Sequence, residues 1–232
     1  MLTITDMAIH RGGKQQGYGV SLPSLSLKPG EVAALTGPSG CGKSTLLEMI
    51  GLILRPDRLA GYCLGPDHAD AARPLLAGDQ NQLSALRARR LGFVLQNGGL
   101  LPYLSIEHNI QLPRRMLGMP IASVWVDKAV AHLGLAPLLK KMPRQLSIGE
   151  RQRVAFVRAI AHQPQLLLAD EPTAALDPHN ARQLFALMLE MVGELHISAL
   201  VVSHDWQLVD AFHIRRLHGR PQGERDSVFE SQ

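Results

Sequence analysis

The sequence predicts an α/β fold with a mainly parallel sheet, an N-terminal antiparallel β region and an inserted α-helical subdomain. Three observations predict it. Strand-like and helix-like runs alternate in both flanking parts of the chain, as parallel sheets with right-handed helical crossovers require. From Ser105 to about His162 the pattern is helical throughout, a composition shift that marks an insertion. A glycine-rich loop, Gly37-Pro38-Ser39-Gly40-Cys41-Gly42-Lys43-Ser44-Thr45, follows the strand-like EVAALT and precedes the helix-like LLEMIG, the setting that holds a phosphate.

Each element has its own warrant. Residues 2–9 and 20–27 alternate apolar with polar and are bounded by Gly or Pro, so they form an antiparallel pair. Residues 45–54 form the helix behind the loop, stopped at Arg55-Pro56-Asp57. Residues 61–78, rich in Gly, Pro, Asp and Ala, are expected to be loop. Residues 91–95 make a short buried strand running into Gln96-Asn97-Gly98-Gly99. Helices follow at 105–118, 121–133 and 148–162. The unbroken apolar run before Asp170-Glu171 is a central parallel strand, followed by helix 178–194, strand 197–202 and helix 205–212. The chain thus divides into a catalytic core (1–96 and 163–218), a helical subdomain (97–162) and a polar tail (219–232) expected to be disordered.

Composition narrows the function classes. At 232 residues, 46% hydrophobic and 19% charged, the chain buries a substantial core and is not a disordered segment. Aromatic content of 4% argues against a single-stranded nucleic-acid platform, which stacks bases on rings. A net charge of +4 suits a polyphosphate or an anionic membrane surface but is too mild to imply DNA binding. The cluster Arg87-Ala88-Arg89-Arg90 is expected to be a solvated helix end. Two cysteines make no disulfide framework, which fits a reduced, cytoplasmic setting. Cys41, inside the loop at a helix N-terminus, sits where thiols become reactive. No secretory h-region is visible and no apolar run spans a bilayer, so any membrane role must come from a partner.

The chemistry is concentrated in a few residues. The loop glycines turn successive backbone N–H groups inward around phosphates, Lys43 reaches the β/γ oxygens, and the Ser44 hydroxyl suits Mg²⁺. Asp170 and Glu171 end a buried strand, where two carboxylates are costly unless they meet a metal or a reacting water. Asp170 suits Mg²⁺, and Glu171 can polarise the attacking water of a hydrolysed nucleotide. The core is therefore that of a phosphate-loop NTPase. Ser147, with Glu150 three residues on, caps a long helix whose N-terminus offers a second anion site.

With these motifs in place, the chain resembles an ABC-type ATPase subunit over nearly its whole length. The phosphate loop is followed by a glutamine loop at Gln96, a signature at 146–150, the carboxylate strand, an aspartate loop at Asp177 and a switch histidine, His204. The resemblance implies a head-to-tail dimer with a second copy, in which ATP lies between the phosphate loop of one chain and Ser147 and Gly149 of the other. It implies that Gln96 touches Mg²⁺ or the attacking water, that His204 contacts the γ-phosphate, and that Asp177 shapes the interface. Three positions depart from the family pattern. Arg11 stands where an aromatic residue usually stacks on adenine, and Ile148 and Glu150 replace Gly and Gln in the signature. Arg11 can stack by its planar guanidinium. Glu150 places a negative charge near a triphosphate, which is expected to weaken ATP affinity or slow turnover.

Residues 85–113 (ALRARRLGFVLQNGGLLPYLSIEHNIQLP) are similar to the lipoprotein-release, macrolide-export and cell-division group of these ATPases. That likeness implies transmembrane partner subunits and a peripheral place on the inner face of the cell membrane. Its members transmit ATP-driven closure mechanically, either to export or extract a substrate or to regulate periplasmic cell-wall enzymes. Soluble relatives in DNA repair or translation usually carry two ATPase halves, long coiled coils or zinc-binding cysteines, which this sequence lacks; no nucleic-acid partner is expected.

Overall fold

The computed structural model describes residues 1–12, 17–223 and 225–231. Ten strands among them form one twisted sheet. β1 (Leu2–Arg11) and β2 (Tyr18–Leu27) pair antiparallel, with Leu2 opposite Leu27 and Arg11 opposite Tyr18. β3 (Val32–Thr36) leads into the glycine-rich loop and α1 (Lys43–Ile50). β3, β8 (Ser198–Val202), β7 (Leu166–Asp170) and β6 (Leu91–Val94) lie side by side in that order, all parallel. Their C-terminal ends therefore share one edge, which carries the loop, Asp170-Glu171 and Gln96.

The parallel strands are apolar on both faces, and the sheet separates two cores. Leu166 and Leu168 of β7 pack with Leu200 and Val202 of β8 against α1 and the antiparallel region. Leu167 and Ala169 face the other side, with Phe156 and Val157 of α6 (Ile148–Ile160) and Phe185 and Met188 of α7 (Pro178–Glu194). The inserted helices α4 (Ile106–Met116) and α5 (Val124–His132) join this second core through Ile106, Ile110 and Val126. The helical segment is thus continuous with the sheet through α6. Gly92 permits the contact, because a Cβ there would lie 2.2 Å from the Ala159 carbonyl oxygen.

Three expectations are corrected. The helix behind the loop starts earlier and ends sooner, at Lys43–Ile50, because Gly51 caps it through an N–H donated to Leu47 O at 2.7 Å. Residues 61–78 are not featureless: they hold β4 (Gly61–Leu64), β5 (Ala69–Asp70) and α2 (Ala72–Ala77). Asp70 accepts from the Ala72 N–H at 2.8 Å and starts α2, while Tyr62 is buried and donates to Ile50 O at 2.5 Å. α3 (Gln80–Arg90) follows, capped by Asp79. Its basic end is partly engaged: Arg87 donates to Leu52 O, and Arg90 binds Asp67 and Gln165.

The largest correction concerns the tail. The described part of 219–232 is not disordered; residues 224 and 232 lie outside the described residues. β9 (Arg215–Gln222) and β10 (Asp226–Ser231) form a hairpin at the centre of the sheet, β9 parallel to β3 and β10 parallel to β2. Leu217 and Phe229 are fully buried. Phe229 alone removes enough apolar surface to contribute about 1.5–3 kcal/mol, and the two strands bridge the antiparallel and parallel halves. The last short helix, α8 (Trp206–Ala211), is capped by Asp205, which accepts from Leu208 N–H at 2.9 Å.

Candidate active site

The glycine-rich loop is shaped by its glycines. Gly37, Gly40 and Gly42 have φ of 142°, 80° and 91°, a region L-residues rarely occupy. At Gly42 a Cβ would also lie 2.3 Å from Val20 Cγ2. Gly42 is the N-cap of α1 and offers no side-chain cap, so the first N–H groups of this helix are left for an anion. Lys43 is 6% exposed, and its ammonium donates to the carbonyls of Gly37 and Pro38, each at 2.9 Å. Those carbonyls hold the side chain over the loop, where a phosphate oxygen can accept from it. Ser44 is the second residue of the helix, and Thr45 accepts or donates a 3.1 Å hydrogen bond with the Tyr18 hydroxyl.

Across the sheet edge, β7 delivers Asp170 and Glu171. Burial pushes the Asp170 carboxyl above the usual carboxylate range; the charges of Glu171 and Glu48 add to the rise, while His204 and Lys43 oppose it. Such a crowd of carboxylates is relieved by a cation. Glu171 has φ 47°, a left-handed backbone that costs a non-glycine residue on the order of 1 kcal/mol and concentrates at active sites. This turn aims its side chain between two donors. His204 Nε2 lies 2.9 Å from Glu171 Oε1, and Gln96 Nε2 donates to Oε2 at 3.2 Å. Three residues distant in sequence, each expected to act on the γ-phosphate side, thus meet on one carboxylate.

Gln96 is held from behind. Its carbonyl accepts from Gln152 Nε2, and the carbonyls of Gly98 and Gly99 accept from Arg158 at 2.8 and 2.7 Å. Both donors belong to α6, whose N-terminus carries the signature. There Ser147 and Glu150 form a full capping box: Ser147 N–H donates to Glu150 Oε2 at 2.7 Å, and Glu150 N–H to Ser147 Oγ at 3.2 Å. Gly149 lies beside Leu176, and Asp177 caps α7 by accepting from Asn180 N–H at 3.1 Å. The hydrogen bonds of Ser147 and Asp177 described here are therefore local, made within their own helix ends. A cavity of about 290 Å³ lined by Glu171, His204 and Leu176 lies between the cluster and the aspartate loop.

One sequence expectation changes here. Cys41 is buried, with its sulfur packed against Gly37 and Gly219, so it is shielded from reagents in this fold. The Glu150 carboxylate is engaged by the Ser147 N–H, which chiefly holds it below the usual range and keeps it ionised, so the negative charge expected at the signature is retained. Arg11 is exposed at the end of β1, opposite Tyr18. Tyr18 was missed by sequence reasoning because it follows a stretch without strand periodicity; its placement beside the loop comes from the β1–β2 register.

Comparison with known proteins bears directly on this geometry. The family model described as ABC transporter matches residues 21–174. The chain is 43% identical over 187 residues to the lipoprotein-releasing system ATP-binding protein LolD of Maricaulis maris, covering 80% of this chain and 79% of that protein. It is 42% identical over 185 residues to LolD of Paramagnetospirillum magneticum, covering 78% of each. Among solved structures, it is similar to the dimeric bacterial ABC transporter cassette MJ0796, at 28% identity and a TM-score of 0.77 over 94% of both chains. A dimeric post-hydrolysis state of that cassette, bound to ADP and Pi, matches with the same values.

Proposed function

This chain belongs to the ABC transporter family and is an ATPase of the cassette type; we propose that it drives a membrane partner which extracts or exports a lipid-linked substrate by mechanical transmission. The observation that carries the hydrolytic part is the convergence of Gln96, Glu171 and His204 at the strand ends beside Lys43. Glu171 is the general base. Both its oxygens are already hydrogen-bonded, yet a carboxylate has about four acceptor positions, so it can still orient a water. His204 would contact the γ-phosphate, and Lys43 with the uncapped α1 N-terminus would hold the β/γ oxygens.

Mg²⁺ fits the same edge. Ser44 and Asp170 would hold it, with Gln96 as a further contact; the raised Asp170 carboxyl, caused first by burial and then by the charges of Glu171 and Glu48, is consistent with a cation there. When bound, the ion supplies charge neutralisation on the phosphoryl oxygens. Ser147 and Gly149 would close on the nucleotide of a second copy in a head-to-tail dimer, with Asp177 at the interface. No helix among the described residues is long and apolar enough to cross a membrane. The membrane partner would sit in an apolar groove of about 290 Å³ lined by Phe93, Leu101, Leu112 and Met116, the last 74% exposed. That groove flanks the glutamine loop, and it would hold the protein on the inner face of the cell membrane. The lipoprotein-releasing names of the relatives favour extraction over regulation of cell-wall enzymes.

Glu171→Gln is expected to lower kcat by about 10²–10⁴-fold while ATP-driven dimerisation persists in size-exclusion light scattering. Substantial residual turnover rejects Glu171 as the base. Affinity purification from detergent extracts should recover transmembrane subunits; recovery with ribosomes or DNA in their place sinks the membrane reading. Lipoprotein release from reconstituted vesicles supports extraction, and its absence with intact ATPase activity supports the regulatory alternative.

A further inference from the structure

We propose that Trp206 and His218 are positioning residues for hydrolysis: they form a strut between the tail hairpin and α8 that holds His204 against Glu171. This rests on the reading of His204 and Glu171 given above and adds what keeps the histidine in place. His204 lies in the segment Ser203-His204-Asp205, which joins the end of β8 to the start of α8. Its side chain is half-exposed, so its position depends on how the two ends of that segment are fastened.

The β8 end is fastened by the backbone. Ser203 N–H donates to Leu35 O at 3.4 Å, and Ser203 Oγ accepts from the Asp205 N–H at 3.1 Å. The other end rests on Trp206, the first residue of a helix only six residues long. Two residues of β9 hold its indole. His218 meets it at a centroid separation of 5.4 Å with 75° between the planes, an edge-to-face contact. Arg216 lies over the ring, 5.1 Å from its centroid, and also binds Asp210 of α8.

His218 carries the contact on to the phosphate loop. Thr36 is fully buried, ends β3 immediately before Gly37, and pairs with His218 in the parallel ladder. Its hydroxyl lies 3.1 Å from His218 Nδ1. Burial, then the charges of Arg220 and Arg216, holds the imidazole below its usual range, so no second cation stands beside Arg216 at neutral pH. The next residue, Gly219, faces the opposite side of the sheet. Its carbonyl oxygen is 2.9 Å from where a Gly37 Cβ would stand. One strand of the tail therefore touches the loop through Gly219 and the switch segment through His218. The residues that would hold the phosphates and those that would attack them share a frame through β9.

Single-turnover hydrolysis of ATP with Mg²⁺ by the full chain tests the strut. Trp206→Ala is expected to slow the hydrolytic step about ten- to a hundredfold, the order of loss that a small misplacement of a reacting group produces. ATP affinity, titrated in a Glu171→Gln background, is expected to be unchanged by Trp206→Ala. Trp206→Phe keeps an aromatic ring for His218 and should recover most of the rate. The deciding comparison is a cycle with His204→Ala. If Trp206 acts through His204, Trp206→Ala costs nothing further in that background, whereas independent effects add. An additive loss, or a wild-type rate in Trp206→Ala, overturns the proposal. Should Trp206→Ala lose its thermal unfolding transition, His218→Gln carries the same cycle, because it can still bond Thr36 but has no ring; a wild-type rate there overturns the proposal too. A wild-type rate in His204→Ala rejects the reading of His204 itself, and the strut with it.

Discussion

Two helix N-termini in this chain, those of α1 and α6, are finished in opposite ways. α1 has glycine at its N-cap, no side-chain cap and no acidic residue in its first turn. α6 has a serine cap, a glutamate in its first turn and both bonds of a capping box. A glycine N-cap costs a helix roughly a few tenths of a kcal/mol against a serine cap, and at α1 it leaves open N–H groups to which an incoming phosphate would bind. The α6 end is already satisfied by its own carboxylate and holds its shape without a ligand. One terminus is built to receive an anion from solution; the other is a finished surface that can be brought to an anion held elsewhere.

Gly42→Ala attacks the open terminus and should have the largest effect. The left-handed backbone and the 2.3 Å approach to Val20 together should cost about 2–5 kcal/mol. Urea denaturation reads this directly, and an unchanged midpoint would show that the loop can relax without its glycine. Ser147→Ala strips the closed terminus of its cap and should cost about 0.5–2 kcal/mol. If the serine also meets a second copy's nucleotide, ATP-driven dimerisation falls in the same variant; intact dimerisation leaves Ser147 a cap and nothing more.

Glu150→Gln should be the smallest perturbation, since an amide can still accept from the Ser147 N–H. Its signature is pH dependence. The folded Glu150 carboxyl lies below its unfolded value, so its contribution is complete above the ordinary glutamate range, about 4.3. It is lost as the pH falls through the lower folded value. The variant should therefore lose less stability than the wild type on acidification, as measured by thermal midpoints from neutral pH downward. Parallel acid profiles would show that the box does not depend on the charge.

The sequence made the open terminus legible and much of the sheet around it. The phosphate loop and the strand ending at Asp170 are carried by local signals, whereas Gln96 and His204 stand out only through the order of motifs along the whole chain. What escaped is structure made by long-range pairing. β9 and β10 are central strands, yet RRLHGRPQ and DSVFES are mostly polar, and inward burial falls on Leu217, Gly219, Ser227 and Phe229. Too few apolar positions alternate there to suggest a strand. The segment holding β4, β5 and α2 hides similarly, because its elements are two to six residues long and sit among Gly, Pro and Asp. The left-handed turn at Glu171 leaves no trace in composition, although it decides where the carboxylate points.

The bonds from Gln152 and Arg158 to the glutamine loop carry one further consequence. α6 spans 13 residues, a rod of about 20 Å, with Ser147 at its tip and Gln96 fastened along its shaft. Displacement of the tip cannot be absorbed silently, because the shaft drags the loop, and the loop is hydrogen-bonded to the Glu171 carboxylate. Whatever seizes Ser147 from outside therefore adjusts the hydrolytic geometry within. Two such chains facing each other would keep time by this linkage, each escapement released by the other.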